Sequence, residues 1–230
     1  MDMLNNGTID GFIVAIAEET QSLKEYKHFK DIMNSGTPIV MFDRVADGIN
    51  CDKVVVDDFD SAYDATTHLI KLGSKKIALL STVNNLSVGK LRFEGYKKAL
   101  TDANMSIDEG LIVLETAIED FDVKLQALIS SKKMDAVFAL DEHSSTMTMR
   151  MALKQGIKIP EELNIIGFAD GVWSRRLTPS LSTVSQHAPE IGAKAAELLI
   201  HKLNSKDEFY QPQTVVIKTE LRQRESTRRL

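Results

Sequence analysis

The residues best suited to chemistry in this sequence are polar residues that directly follow short apolar segments. Examples are Asp43 with Arg44, Ser81, Asp141 and Asp170. An ionised carboxylate accepts hydrogen bonds from hydroxyl groups, and a guanidinium donates to ring oxygens or to acids. This chemistry suits a sugar or another small polar molecule, so the pattern predicts a binding site.

Each of these aspartates also has a purely structural interpretation. An aspartate that follows a strand often caps the next helix by accepting hydrogen bonds from its first backbone N–H groups. We favour capping for Asp57, which follows Val56, and ligand binding for Asp43 and Asp141.

The apolar segments have the pattern of strands buried on both faces, as in parallel sheets. They cover residues 11–14, 38–42, 54–56, 77–80, 111–114, 136–140 and 165–168. Amphipathic stretches with helical spacing lie between them. Repeated strand–helix units need right-handed crossovers, which predicts a doubly wound α/β fold. Ligands of open α/β sheets bind outside the carboxyl ends of the strands, where the polar residues above belong.

Composition argues against several classes of protein. The chain has 230 residues, of which 43% are hydrophobic and 27% charged, as in ordinary globular domains. The net charge is −5, and no block of Lys and Arg precedes the last few residues, so we expect no DNA binding by this chain alone. No segment approaches the roughly 20 apolar residues of a membrane span, and the first residues have no signal-peptide pattern, so a cytoplasmic location is expected. The single cysteine, Cys51, excludes an internal disulfide and fits either a small residue before a strand or a reducing compartment.

Sequence motifs for catalysis are missing. The chain has no Gly-x-Gly-x-x-Gly, phosphate-binding loop, Gly-x-Ser-x-Gly or His-x-x-x-His, and its five histidines lack metal-ligand spacing. We therefore expect no enzyme, no metal and no cofactor. His143 lies close to Asp141 and Glu142, which would fit acid–base catalysis, but a ligand contact or an exposed position at a helix start is favoured.

Several segments, in unbroken order from about Asp10 to the C-terminus, resemble the effector-binding core of LacI/GalR-type repressors. They are Pro38–Arg44, Val55–Asp57 with His68–Ala78, Arg92–Tyr96, Pro160–Asp170, Leu177–Gln186 and Leu221–Thr227. Each segment is weakly specific, and the combination is strongly so. The resemblance implies a periplasmic-binding-protein-like α/β fold with two doubly wound parallel-sheet lobes that close on a small effector.

The resemblance also implies roles for individual residues. Asp43 matches a position that contacts effector hydroxyls, and Gln186 matches a crossover-strand position that often contacts ligand. Arg92 matches an arginine that reaches into the crevice, with a solvated helix arginine as the alternative. Trp173 would lie in the mouth loop, either stacked on a sugar face or buried in the core.

Two departures from the family pattern concern the ligand. Asp141 stands where many sugar-responsive members carry Asn, so a ligand there must donate hydrogen bonds. Ala169 stands where many members carry the Asp that binds the sugar, and Asp170 keeps a carboxylate nearby. The usual set of hexose contacts is therefore incomplete, and the effector need not be a simple hexose.

The predicted domain boundaries follow the same resemblance. Residues 1–60 with 185–207 are expected to form a remnant of the N-terminal lobe, and residues 61–184 with 208–230 the C-terminal lobe. The first lobe is expected to be incomplete, with an exposed sheet edge at the strand near 11–16. No DNA-binding headpiece is expected in this chain.

The predicted function is that of an effector-sensing domain of a LacI-type transcription regulator. A small sugar-like molecule would bind between the two lobes and control DNA binding by the intact protein. Contact with operator DNA would require a headpiece absent here, and a homodimer is expected, with no membrane partner. The helix rich in methionine (Met147, Met149 and Met151) would lie at the dimer contact or in the core. The alternative is a solute-binding protein for sugar uptake, which would need an export signal.

Overall fold

The structure, a computed structural model, describes residues 9–168, 170–205 and 210–228. These residues form ten strands: β1 (Phe12–Val14), β2 (Ile39–Phe42), β3 (Asp52–Val56), β4 (Ile77–Ser81), β5 (Ile112–Leu114), β6 (Ala136–Ala139), β7 (Asn164–Gly167), β8 (Ser182–Ser185), β9 (Thr214–Ile217) and β10 (Glu220–Arg222). The same residues form eight α-helices: α1 (Glu18–Leu23), α2 (Lys27–Asn34), α3 (Asp58–Lys71), α4 (Ser87–Asp102), α5 (Ile118–Ser131), α6 (Glu142–Lys154), α7 (Val172–Arg176) and α8 (Ala188–Asn204). A short 3-10 helix covers Glu109–Leu111.

The chain divides into two units. The first consists of Met1–Val56 and His187–Lys218, and the second of Asp57–Gln186 and Thr219–Leu230.

The first unit has a four-stranded parallel sheet in the order β1-β2-β3-β9. Successive side chains of a strand point to opposite faces. Ile39 and Met41 accordingly pack on one side with residues of α2, and Val40 packs on the other side with Val54 and with α8. Burial on both faces explains why this segment reads as a continuous apolar run.

The second unit has a six-stranded sheet in the order β10-β8-β7-β6-β4-β5. Its pairs are parallel except for β10, which pairs antiparallel with β8. Ala78 and Leu80 face a core that includes residues of α5 and α6, and Ile77 and Leu79 face a core that includes residues of α3 and α4. Helices on both faces of a mostly parallel sheet confirm the predicted doubly wound α/β architecture.

One part of the predicted domain division differs from the structure. The strand near 214–218 was expected in the C-terminal lobe, but β9 pairs in parallel with β3 of the first unit. The carboxylate of Asp52 supports this pairing, because it accepts hydrogen bonds from the hydroxyl of Tyr210 at 2.7 Å and from the backbone N–H of Gln213 at 2.9 Å. The chain passes from one unit to the other at residues 56/57, 186/187 and 218/219 instead of 60/61, 184/185 and 207/208.

The methionine-rich helix is α6. Met149 is fully buried in the core of the second unit, and Met147 and Met151 are partly buried against it. Core packing therefore accounts for these residues within this chain, and the dimer contact remains a proposal.

None of the helices in the part of the chain that the structure describes is both long enough and apolar enough to cross a membrane.

Candidate functional site

The residues that follow β4, β6 and β7 lie at one end of the sheet in the second unit. The backbone N–H of Thr82, after β4, donates to Oδ2 of Asp141, after β6, at 2.8 Å. Pairing continues beyond the strands, since the N–H of Leu140 donates to the carbonyl of Leu80 at 2.8 Å and the N–H of Phe168 to that of Ala139 at 2.7 Å. These residues lie at the carboxyl ends of parallel strands, as the sequence predicts.

Both carboxylate oxygens of Asp141 have backbone donors. Oδ1 accepts from the N–H of Ser144 at 2.8 Å, and the N–H of Asp141 lies 3.3 Å from the Ser144 hydroxyl, which forms a capping box at the start of α6. Oδ2 accepts from Thr82, as above. Asp141 is thus a helix cap and a link between two strand ends, and any ligand must share these oxygens.

The side chain of Arg92 is buried, with 4% of the residue exposed, so the solvated alternative is wrong. Its Nε donates to Oδ1 of Asp58 at 2.7 Å, and its Nη1 donates to the carbonyl of Leu140 at 2.7 Å. Its guanidinium carbon lies 3.5 Å from the ring centroid of Phe168. The arginine therefore reaches the carboxyl end of the sheet, where it joins α3, β6 and β7.

Asp58 and Phe168 were not predicted as site residues. Asp58 is the second of two consecutive aspartates after β3. A helix-capping role explains both aspartates from the sequence, so the sequence gives no sign of the ion pair between Asp58 and Arg92. Phe168 lies in the Gly167-Phe168 pair that ends an apolar run, where it has the appearance of a core residue.

The loop between β4 and α4 is held close to the helix. Ser81 is fully buried, and its hydroxyl accepts from the N–H of Val83 at 3.0 Å. A Cβ atom at Gly89 would lie 2.0 Å from the carbonyl oxygen of Val83, so only glycine permits this approach. Oδ1 of Asn84, in the same loop, is buried and has no hydrogen-bond partner among the described residues. Buried acceptors are normally paired, which adds Asn84 to the candidate residues.

Asp170 takes part in a network within the second unit. Its Oδ1 accepts from Nη2 of Arg224 at 2.7 Å and from the hydroxyl of Thr183 at 3.1 Å, and its Oδ2 accepts from Nη1 of Arg222. Burial alone would raise the pKa of Asp170, but hydrogen bonds from Arg224, Thr183 and Ser185 and the charge of Arg222 lower it. These contacts give the carboxylate a structural role.

The remaining candidates of the second unit lie nearer the surface. Trp173, in α7, is 62% exposed, which excludes a core position. Nε2 of His143 lies 3.1 Å from Oδ1 of Asp122, and the ring of His143 meets Phe121 edge-on at 5.6 Å. Gln186 is half-buried directly after β8. Ala169 lies outside the described residues.

Asp43 and Arg44 follow β2 at the carboxyl end of the sheet in the first unit. Asp43 has a left-handed backbone with φ of 55°, and its N–H donates to the carbonyl of Val54 at 3.0 Å. Both side chains are half-buried. Nε of Arg44 is buried and lacks a hydrogen-bond partner in the described part of the chain, so it has capacity for a ligand.

Two cavities lie away from these residues. One of about 1050 Å³ is lined by residues of α1, α2 and the turn that joins them, and one of about 210 Å³ lies beside the end of α5. Neither is lined by a predicted site residue. The described residues contain no cluster of three or more His, Cys, Asp or Glu that could hold a metal ion.

Known proteins provide a comparison for this fold and site. Residues 66–227 match the family described as the periplasmic binding protein-like domain. The chain is 32% identical over 217 residues to the HTH-type transcriptional repressor PurR of Haemophilus influenzae. The aligned residues cover 92% of this chain and 62% of that protein.

Two solved structures show the same fold. A complex of the transcriptional regulator CelR with cellobiose has a TM-score of 0.83 at 23% identity and covers 98% of this chain and 68% of that one. A LacI family transcriptional regulator from Enterococcus faecium with bound ribose has a TM-score of 0.82 at 26% identity. The match covers 97% of this chain and 81% of that one. The chain therefore belongs to the periplasmic binding protein-like domain family.

Proposed function

We propose that this chain senses a small polar molecule and thereby controls the DNA binding of a LacI-type transcription regulator. The observation that carries the proposal is the group of polar side chains at the carboxyl ends of β4, β6 and β7, where Arg92 and Asp141 join neighbouring strands. Ligands of open α/β sheets bind at such ends. The chain spans 62% of the length of its PurR relative, so control of DNA binding by the whole protein is part of what we propose.

The proposed ligand-binding residues differ in how many of their hydrogen-bonding atoms already have partners within the protein. Arg44 and Asn84 each have a buried polar atom without a partner among the described residues, and Trp173 presents an exposed ring. Arg92, Asp141 and Asp170 already have strong internal partners and would add ligand bonds to those. The full proposed set is Asp43, Arg44, Ser81, Asn84, Arg92, Asp141, His143, Asp170, Trp173 and Gln186.

A sugar or sugar-like molecule fits this chemistry. The site is rich in acceptors that suit hydroxyl donors, and the two solved structures above hold cellobiose and ribose.

Regulation would follow from a shift in a conformational equilibrium that the effector biases. In the intact protein that shift would change operator binding, and we expect a homodimer in the cytoplasm, where operator DNA lies. The alternative of a solute-binding protein is not favoured, because the PurR relative is a transcriptional repressor. We also propose that the chain is not an enzyme, which a turnover screen on sugars and sugar phosphates would test.

The test is a thermal-shift screen of the 230-residue chain against sugars, sugar acids, nucleosides and purines. A ligand that binds only the folded state at about 100 times its Kd adds about 2.7 kcal/mol to the free energy of unfolding, which raises Tm measurably. We expect the best hit to lose most of its shift in Asp43→Ala and in Arg92→Ala. Lys90→Ala, an exposed position on α4, is the matched control. Failure of every compound to raise Tm would contradict the function, and parental responses in both variants would contradict the site.

A further inference from the structure

The charge of Arg92 is neutralised inside the second unit. Its Nε lies 2.7 Å from Oδ1 of Asp58, and the two side chains are only 5% and 3% exposed. A guanidinium that keeps its partner carboxylate in the interior contributes hydrogen-bond donors to a ligand but no net positive charge.

The other arginines near the end of β7 also face an internal carboxylate. Arg222 and Arg224 both bind Asp170, and Nη2 of Arg175 lies 3.9 Å from the same side chain. Arg222 further pairs with Glu220 at 3.0 Å. These three cations of the second unit thus face acids of the same unit.

The polar atoms that follow β4 and β6 suit hydrogen-bond donors better than anions. Asp141, which follows the Leu140 carbonyl that Arg92 contacts, presents a carboxylate, and Asn84, in the loop after β4, presents a buried amide oxygen without a partner among the described residues. Both are acceptors, so a hydroxyl group satisfies them and a phosphate or carboxylate does not. Burial of an unpaired anion in such surroundings is costly.

We infer that Asp58 sets the charge selectivity of the polar group at the ends of β4, β6 and β7, so that the part of the effector bound there is uncharged and hydroxyl-bearing and its phosphorylated or carboxylated forms are rejected. The inference rests on the proposed function and names the class of molecule that the site accepts. Asp58 acts through Arg92 and is a positioning residue.

The first test uses the native chain and pairs of ligands that differ in charge. Isothermal titration would compare ribose with ribose 5-phosphate, glucose with glucose 6-phosphate and gluconate, and the best neutral hit of the screen with its phosphorylated or oxidised form. We expect the anionic member of a binding pair to bind at least about tenfold more weakly. An anionic member that binds as tightly as its neutral parent would overturn the inference and leave the proposed function intact. Failure of every compound to bind would overturn both.

The second test is Asp58→Asn, which keeps an oxygen for Nε of Arg92 and removes the negative charge. Arg92 would then be an uncompensated cation, so we expect inorganic phosphate to raise the Tm of this variant more than that of the native chain. The ratio of anionic to neutral affinity should rise about tenfold or more. Asp64→Asn, an exposed position on the same helix, changes the net charge equally and should leave both properties unchanged.

Equal responses of Asp58→Asn and Asp64→Asn to phosphate would contradict the inference. Asp58→Glu, which preserves the charge, should retain the selectivity of the native chain, and a loss of selectivity in this variant would also count against it. If Asp58→Asn fails to fold, the ligand pairs on the native chain and the Asp58→Glu variant decide the outcome.

Discussion

The backbone N–H of Thr82 donates to Oδ2 of Asp141 at 2.8 Å, which ties the end of β4 to the beginning of α6. The other oxygen of the same carboxylate caps α6 through Ser144. One side chain therefore holds two neighbouring strand ends and a helix terminus in a fixed arrangement, and fixed polar groups reduce the ordering that a ligand must bring about.

Asp141→Ala is expected to reduce the free energy of unfolding by about 2 kcal/mol, because the helix cap is lost and the N–H of Thr82 loses its acceptor. Asp141→Asn should cost less, since an amide oxygen can still cap the helix. Urea denaturation would measure both changes. Asp64→Ala serves as the control, and a loss in Asp141→Ala no larger than in that control would show that the link is unimportant.

Arg92→Met is expected to reduce the free energy of unfolding by about 3–5 kcal/mol, since it removes the guanidinium that pairs with the buried carboxylate of Asp58. The double variant Arg92→Met with Asp58→Asn should recover part of this loss, because it also removes the buried negative charge. Equilibrium denaturation of the two single variants and the double variant gives the coupling energy. Lys90→Met controls for the exposed face of α4, and strict additivity in the cycle would contradict the ion pair.

Gly89→Ala is expected to destabilise the fold by more than about 1 kcal/mol and to weaken effector binding, because its Cβ would lie 2.0 Å from the backbone oxygen of Val83. Gly192→Ala is the matched control, since Gly192 lies in α8 with no atom near the added Cβ, and it should stabilise by about 0.5–1 kcal/mol. Thermal denaturation would show whether each substitution raises or lowers Tm. An increase in Tm for both would mean that the loop moves to accommodate the added methyl group.

His68 is expected to make the fold sensitive to mild acid. Burial, together with the charge of Lys71, lowers the pKa of His68 below 6.5, and its Nε2 is buried without a hydrogen-bond partner among the described residues. The unfolded chain then binds more protons than the folded chain, so the free energy of unfolding falls as the pH drops below about 6.5 towards the lower pKa of the folded state.

The measurement is Tm across the range from about pH 8 to about pH 5, which spans the titration of histidine. His68→Leu should show a smaller decrease than the native chain. His28→Gln, at an exposed position, should follow the native profile. Parallel profiles for the native chain and His68→Leu would assign the acid sensitivity to other groups.

The strands and the longer helices could be predicted because the burial of a strand or helix leaves a pattern of apolar residues within its own segment of the sequence. A strand buried on both faces appears as a short apolar run, as at residues 77–80, and a packed helix repeats apolar residues every three or four positions, as in α3. The short helices α1, α2 and α7 were missed, since one or two turns carry too few residues to establish a period. The predicted placement of β9 was wrong for another reason. Its burial pattern leaves open which sheet it joins, and its partners, β3 and the carboxylate of Asp52, lie 161 positions away in the chain.

The sequence alone determined the doubly wound architecture and the collection of polar residues at the strand ends, because strand order along the chain and side-chain periodicity settle both. Only the tertiary structure decided how those residues are used. Arg92 meets Asp58 across 34 positions and Leu140 across 48, and Asp170 meets Arg224 across 54. Local patterns place a polar residue at a strand end or on a helix. Its burial and its partner depend on which elements the fold brings together, and the partner determines how much charge remains for a ligand.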